Sequence, residues 1–167
     1  MMRTLIYPGT FDPFTVGHED IAIRASALAD RLYVVVVHNA AKQTRFTLEE
    51  RREMIEACLC HLPNVRVDTH FGLLVDYVRE KQAVAVVRGM RSESDFRFET
   101  EIHAANRLLY SEYETILLPC RSDLAFMSSS IVREVASFGG DISEMVPSQI
   151  HDTVFERLRR HVNMLEE

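Results

Sequence analysis

Five short runs rich in β-branched residues recur along the chain: Arg3–Tyr7 (RTLIY), Arg31–His38 (RLYVVVVH), Asn64–His70 (NVRVDTH), Ala83–Gly89 (AVAVVRG) and Tyr113–Pro119 (YETILLP). A stretch apolar at every position, such as Val34–Val37, suits a strand covered on both faces, the condition of a parallel sheet. Between these runs the apolar positions change to a helical period. His18–Asp30 puts Ile21, Ala25 and Leu28 on one stripe, and Thr47–Leu62 begins with Thr47 and Glu50 in capping-box spacing before repeating Leu48, Met54, Ile55 and Leu59. A third helix is expected over Leu73–Gln82 and a fourth over Asp95–Tyr110. The alternation predicts an α/β fold: a doubly wound, Rossmann-like parallel sheet of about five strands with flanking helices and right-handed crossovers. After the last strand, Ser128–Asp141 reads as a helix capped by serine and stopped at Gly139 and Gly140, and Val146–Glu167 as a terminal helix entered through Pro147. No linker, repeat or low-complexity tract divides the chain. One domain over 1–167 is expected, with a core over about 1–138 and a C-terminal helical extension over about 139–167 lying beyond the sheet edge or across it.

Composition narrows this picture only slightly. The 167 residues are 47% hydrophobic and 26% charged, with a formal net charge of -6 spread along the chain. That balance argues against a general nucleic-acid surface and leaves room for local basic clusters that grip a small anion. Cys58, Cys60 and Cys120 are odd in number and lack metal-ligand spacing, so they read as reduced, structural thiols in an oxidation-poor compartment. The apolar start MMRTLIYPG is too short for a signal peptide and no stretch approaches membrane-spanning length, so a cytoplasmic protein is expected.

In an open parallel sheet, ligands bind outside the carboxyl ends of the strands, where strand order reverses. Each expected strand here is followed by its least ordinary residues. Gly9, Thr10 and His18 follow the first, Lys42 the second, Gly72 the third, Arg88, Gly89 and Arg91 the fourth, and Ser128, Ser129 and Ser130 the fifth. Gly9 would bring backbone close to a ligand, and His18, at a helix start, sits where N–H groups and the helix dipole favour an anion. A plain glycine turn with a histidine cap accounts for the same residues. Arg88 at a strand end needs an anionic partner, which could be a ligand phosphate or one of Asp95, Glu99 and Glu101. Lys42 by itself reads as a solvated cation. Three consecutive serines at a helix start exceed what capping needs, and Arg133 follows one turn on. A helix-start histidine, scattered cations and hydroxyls, with no nucleophile–base pair, suit transfer at a polyphosphate, where positioning and charge stabilisation carry most of the catalysis. Neither GxxxxGK nor GxGxxG is present.

At these residues the chain resembles the nucleotidyltransferase superfamily with an H/T-x-G-H signature near the amino terminus and SSS-x-V-R/K near the carboxyl terminus, here Thr15–His18 (TVGH) and Ser128–Arg133 (SSSIVR). More narrowly, YPGTFDPFTVGHEDI, FTLEERREMI, FGLLVDY, VVRGMRSESDFRFE and MSSSIVREV, in this order, resemble the bacterial phosphopantetheine adenylyltransferases. The resemblance implies transfer of AMP from ATP to 4'-phosphopantetheine, with Mg2+, giving dephospho-coenzyme A and pyrophosphate, in a cytoplasmic homohexamer. It implies His18, Lys42 and Arg91 as the catalytic cations and donors, with His18 on the α-phosphate. Thr10, Lys42, Leu74 and Arg88 would bind phosphopantetheine. Thr10, Phe11, His18, Gly89, Met90, Arg91, Glu99 and the segment Leu124, Ala125, Phe126, Met127, Ser128, Ser129 and Ser130 would bind ATP. No protein metal ligand is implied, because Mg2+ would be held mainly by phosphates and water. The chain departs from the family pattern at Leu124, where relatives often carry tryptophan, at Arg133, where lysine is common, and around Lys42, where Ala40, Ala41 and Gln43 replace a proline and a second lysine. Two other readings have distinct consequences. A sister enzyme would adenylate nicotinate mononucleotide or cytidylylate a phosphorylated alcohol, and a regulatory module would bind ATP without turnover.

Overall fold

The structure, a computed structural model, describes residues 2–38 and 43–163, leaving Lys42, Ala40 and Ala41 outside the described residues. Five parallel strands alternate with helices: β1 (Thr4–Gly9), α1 (Val16–Leu28), β2 (Arg31–Val37), α2 (Leu48–Leu59), β3 (Val65–His70), α3 (Leu74–Glu80), β4 (Ala85–Met90), α4 (Glu93–Leu109), β5 (Thr115–Pro119), α5 (Ser129–Ser137) and α6 (His151–Asn163). The strand order is β3-β2-β1-β4-β5, so the order reverses between β1 and β4. This is the doubly wound sheet that the alternation predicts.

Burial explains why the strand sequences are so uniformly apolar. On one face Leu5, Tyr7, Val34, Val36 and Val87 pack under α1, α2, α5 and α6, and on the other Ile6, Val35 and Val86 pack with Val75, Tyr77, Val78 and Tyr113. The chain beyond α5 joins the larger of these clusters through Ile142, Val146, Ile150, Val154 and Leu158. It lies on the sheet face beside α5 and α2.

Two departures from the sequence expectation shape the crevice. First, β1 continues through Pro8 and Gly9, which read as loop from sequence. The pair stays in register with β2 as far as Gly9↔Val36, whereas β1 and β4 are paired only at Leu5↔Ala85 and Ile6↔Val86. Pro8 has no N–H to offer a neighbouring strand, and its carbonyl accepts from Arg88 Nη1 instead, at 2.8 Å. The central strands therefore part at the switch point. Second, Gly9 is required by a neighbour in the fold: a Cβ at this position would lie 2.6 Å from the Phe11 ring. Phe11 itself adopts φ 50°. The close backbone approach expected at Gly9 is thus met by an aromatic side chain.

Helix starts are built from local chemistry. At α2, Thr47 Oγ1 accepts from the Glu50 amide and the Glu50 carboxylate accepts from the Thr47 amide, the reciprocal capping box expected from the spacing. Helix α4 begins at Glu93, two residues before the expected start, because Ser92 caps it by accepting from the Asp95 amide. Of its 17 residues only Glu99 is buried, while Phe96, Phe98, Ile102, Leu108 and Leu109 are exposed.

Candidate active site

The parted ends of β1 and β4 open into a cavity of about 690 Å3. Its walls are the β1–α1 loop, the end of β2 with Gln43 and Thr44, the end of β4 with the first turns of α4, and the β5–α5 connection with the start of α5. Among the expected site residues it brings together Thr10, Phe11, His18, Arg88, Gly89, Arg91, Glu99, Leu124, Met127, Ser128, Ser129 and Ser130. Leu74 packs partly buried against the second core cluster. Met90 lines an adjoining recess of about 410 Å3 with Phe96, Pro119 and Cys120. Phe126 is 61% exposed, and neither it nor Ala125 lines the cavity. Lys42 lies outside the described residues.

His18 is the third residue of α1, and that position fixes its chemistry. Thr15 caps the helix by accepting from the His18 amide at 3.3 Å, and the Thr15 amide donates to His18 Nδ1 at 3.1 Å. The imidazole thus takes the part that Glu or Gln takes in a capping box. With Nδ1 accepting, a neutral ring carries its proton on Nε2, the nitrogen left for a ligand. Desolvation first, and then the charges of Arg91 and Arg88, press the His18 pKa down to about 3. The ring also packs edge-on to Phe11 at 5.1 Å between centroids and is stacked with Phe14. His18 is therefore a neutral donor in the unliganded protein. Its NMR titration should show no protonation between pH 5 and 8, and a midpoint near 6.5 would contradict this assignment. The linked stability has a definite sign: the unfolded chain takes up the proton near 6.5 and the folded chain only near 3, so stability falls as pH drops through that window.

Both arginines of Arg88–Arg91 are held by α4 carboxylates one turn apart. Arg88 donates through Nε to Glu99 Oε2 at 2.9 Å and through Nη2 to Glu99 Oε1 at 2.7 Å. Desolvation alone would lower the Arg88 pKa, but the bonds and charge of Glu99 outweigh it and raise the value. Asp95 accepts from the Arg91 amide at 3.0 Å, while Arg91 Nη1 reaches across to the Met127 carbonyl at 3.0 Å. Glu101 pairs instead with Arg97 on the surface. So two of the three candidate carboxylates meet the cavity arginines.

A second set of contacts, invisible to sequence reasoning, fixes the opening loop from beneath. The buried Asp12 carboxylate accepts from the Arg45 and Phe46 amides at 3.0 Å, and Arg133 Nη1 donates to the Asp12 carbonyl at 2.5 Å. Arg51, also buried, donates to the Thr10 carbonyl at 2.6 Å. Asp12 thereby joins the β1–α1 loop to α5 and to the chain entering α2. Ser129 Oγ donates to the Pro13 carbonyl at 2.8 Å, Ser128 caps α5 and Ser130 Oγ accepts from Arg133 Nη2 at 3.1 Å, so all three serines have structural partners as well as cavity positions.

The cavity carboxylates Asp12, Asp95 and Glu99 are each engaged by an arginine or a backbone amide, and the described residues contain no cluster of three potential metal ligands. The chemistry on offer is a neutral imidazole donor, three arginines (Arg88, Arg91 and Arg133), hydroxyls and the N-termini of α1 and α5.

Residues 6–135 match the Cytidylyltransferase-like family. Among curated proteins, the chain is 42% identical over 154 residues to the phosphopantetheine adenylyltransferase of Thermotoga neapolitana, covering 92% of this chain and 96% of the relative. It is 47% identical over 149 residues to that of Heliobacterium modesticaldum, covering 89% of each. Its fold is similar to a bifunctional NMN adenylyltransferase/ADP ribose pyrophosphatase from Francisella tularensis, with a TM-score of 0.74 at 16% identity over 99% of this chain and 54% of that one.

Proposed function

Because the chain belongs to the cytidylyltransferase-like family and, within it, to the phosphopantetheine adenylyltransferases, we propose that its cavity transfers AMP from ATP to 4'-phosphopantetheine. The products are dephospho-coenzyme A and pyrophosphate, a step of coenzyme A biosynthesis. The acceptor phosphate is itself the nucleophile, so the protein supplies alignment and charge compensation.

The observation that carries the reading is the fixed His18 ring beside Arg88 and Arg91 where β1 and β4 part. In this assignment His18 Nε2–H donates to the α-phosphate as negative charge grows there, and Arg91 with Ser128–Ser130 faces the triphosphate. Arg88, Thr10 and Lys42 hold the acceptor phosphate, and Leu74 borders the pantetheine path. Mg2+ would be held by triphosphate oxygens and water and would supply charge neutralisation there. The test is pyrophosphate release with 4'-phosphopantetheine beside nicotinate mononucleotide as acceptor. Turnover with the first supports the proposal, turnover with the second alone moves the chain to a sister activity, and ATP binding without turnover makes it a regulatory module.

The cytoplasmic homohexamer belongs to the same proposal. No helix among the described residues is long and apolar enough to cross a membrane. The unburied apolar stripe of α4, with Phe98, Ile102 and Leu109 on one side, is the surface that association would cover. The number six follows from the resemblance alone. Ile102→Glu with Leu109→Glu should lower the mass seen by light scattering while leaving the far-UV spectrum intact, whereas an unchanged mass removes α4 from the interface.

A further inference from the structure

We propose that Glu99 is a positioning residue for the acceptor phosphate, acting through Arg88. The inference rests on the reading that Arg88 grips the acceptor. A carboxylate is an expensive choice for the one buried position of an otherwise exposed helix, unless a matched cation meets it. Both Glu99 oxygens are occupied by Arg88, at 2.9 and 2.7 Å, in the side-by-side arrangement that fixes the plane of a guanidinium. The Pro8 carbonyl takes a third donor, on Nη1, at the point where β1 leaves β4. Of the five N–H groups of an arginine, this leaves one on each terminal nitrogen. Those two remain for a phosphate, and the Arg88 side chain keeps 31% of its surface exposed while Glu99 keeps 8%. Glu99 thus sets the direction of the Arg88 fork and compensates its charge when the acceptor is absent. Asp95, one turn earlier, makes the lesser counterpart with Arg91 through the backbone amide.

Glu99→Gln, close to isosteric, removes the charge and replaces one acceptor with a donor facing Arg88, while Glu99→Asp keeps the charge and shortens the reach. Steady-state kinetics of the full-length protein should show KM for 4'-phosphopantetheine raised roughly tenfold or more in Glu99→Gln, with KM for ATP within about twofold of wild type and partial recovery in Glu99→Asp. In parallel, the Arg88 Nε–H should exchange slowly with solvent in wild type and faster in Glu99→Gln. A rise in KM for ATP equal to or greater than that for the acceptor overturns the inference, and so does an unchanged Nε–H exchange. If wild type shows no turnover with 4'-phosphopantetheine, the functional reading fails separately. The inference is then decided by titrating inorganic phosphate into both proteins: roughly tenfold weaker binding to Glu99→Gln supports it and equal binding overturns it.

Discussion

Alanine at His18 lowers kcat for pyrophosphate release by about 10²–10³-fold in a protein that still binds ATP, the loss expected when one preorganised donor to developing charge is removed. The donor is effective because it is already oriented: Nδ1 is held by the Thr15 amide, and packing against Phe11 and Phe14 restrains the ring. Being neutral, it adds no ground-state attraction comparable to that of an arginine, so its contribution falls mainly on the transition state. The same substitution also deprives the Thr15 amide of its acceptor, which costs about 1 kcal/mol of helix-cap stability. His18→Gln separates the two effects. Glutamine at the third helical position can still accept from the cap amide, so stability should return towards wild type while most of the rate stays lost. Urea denaturation and initial rates on the two variants check this. Full activity in either would mean that the opening loop aligns its ligand without the imidazole.

Arg88→Ala should be the most damaging change to fold and activity together. It leaves the buried Glu99 carboxylate without its fork, and breaking such a pair costs about 3 kcal/mol, the low end of the range because the Arg88 side chain retains 31% exposure. It also frees the Pro8 carbonyl at the parted strands. Activity should drop through a large rise in KM for 4'-phosphopantetheine with a smaller change for ATP. Adding Glu99→Gln to Arg88→Ala should restore part of the stability and none of the activity, since the orphaned charge is removed but the phosphate grip is not. Recovery of activity in the double variant would contradict the assignment.

The sheet was legible because its physics is local and repetitive: strands buried on both faces must be apolar throughout, as Val34–Val36 are. The Thr47–Glu50 cap was legible for the same reason. Contacts that span the sequence were not. The carbonyl of Pro8 meets Arg88 across 80 positions, and Arg133 meets Asp12 across 121, so neither partner carries a local mark. In the sequence Gly9 reads as space for a ligand because nothing nearby shows that the Phe11 ring turns back over it. The rim residues were recognisable as a set because the carboxyl ends of parallel strands are where ligands collect. Which carboxylate paired with which arginine in Arg88–Glu101 needed coordinates, since the helical phase of α4 begins at the Ser92 cap and places Asp95 and Glu99 inward while Glu101 faces solvent.

In the proposed reaction the acceptor phosphate attacks the α-phosphorus in line, with no covalent protein intermediate. This step is tested most directly by turning over one diastereomer of an α-thiophosphate ATP, made chiral at that phosphorus, with 4'-phosphopantetheine and determining the configuration of the product. Inversion in a thio-analogue of dephospho-coenzyme A is the result predicted for a single displacement among His18, Arg88 and Arg91. Retention would require two displacements and a nucleophile on the protein, and would contradict the account.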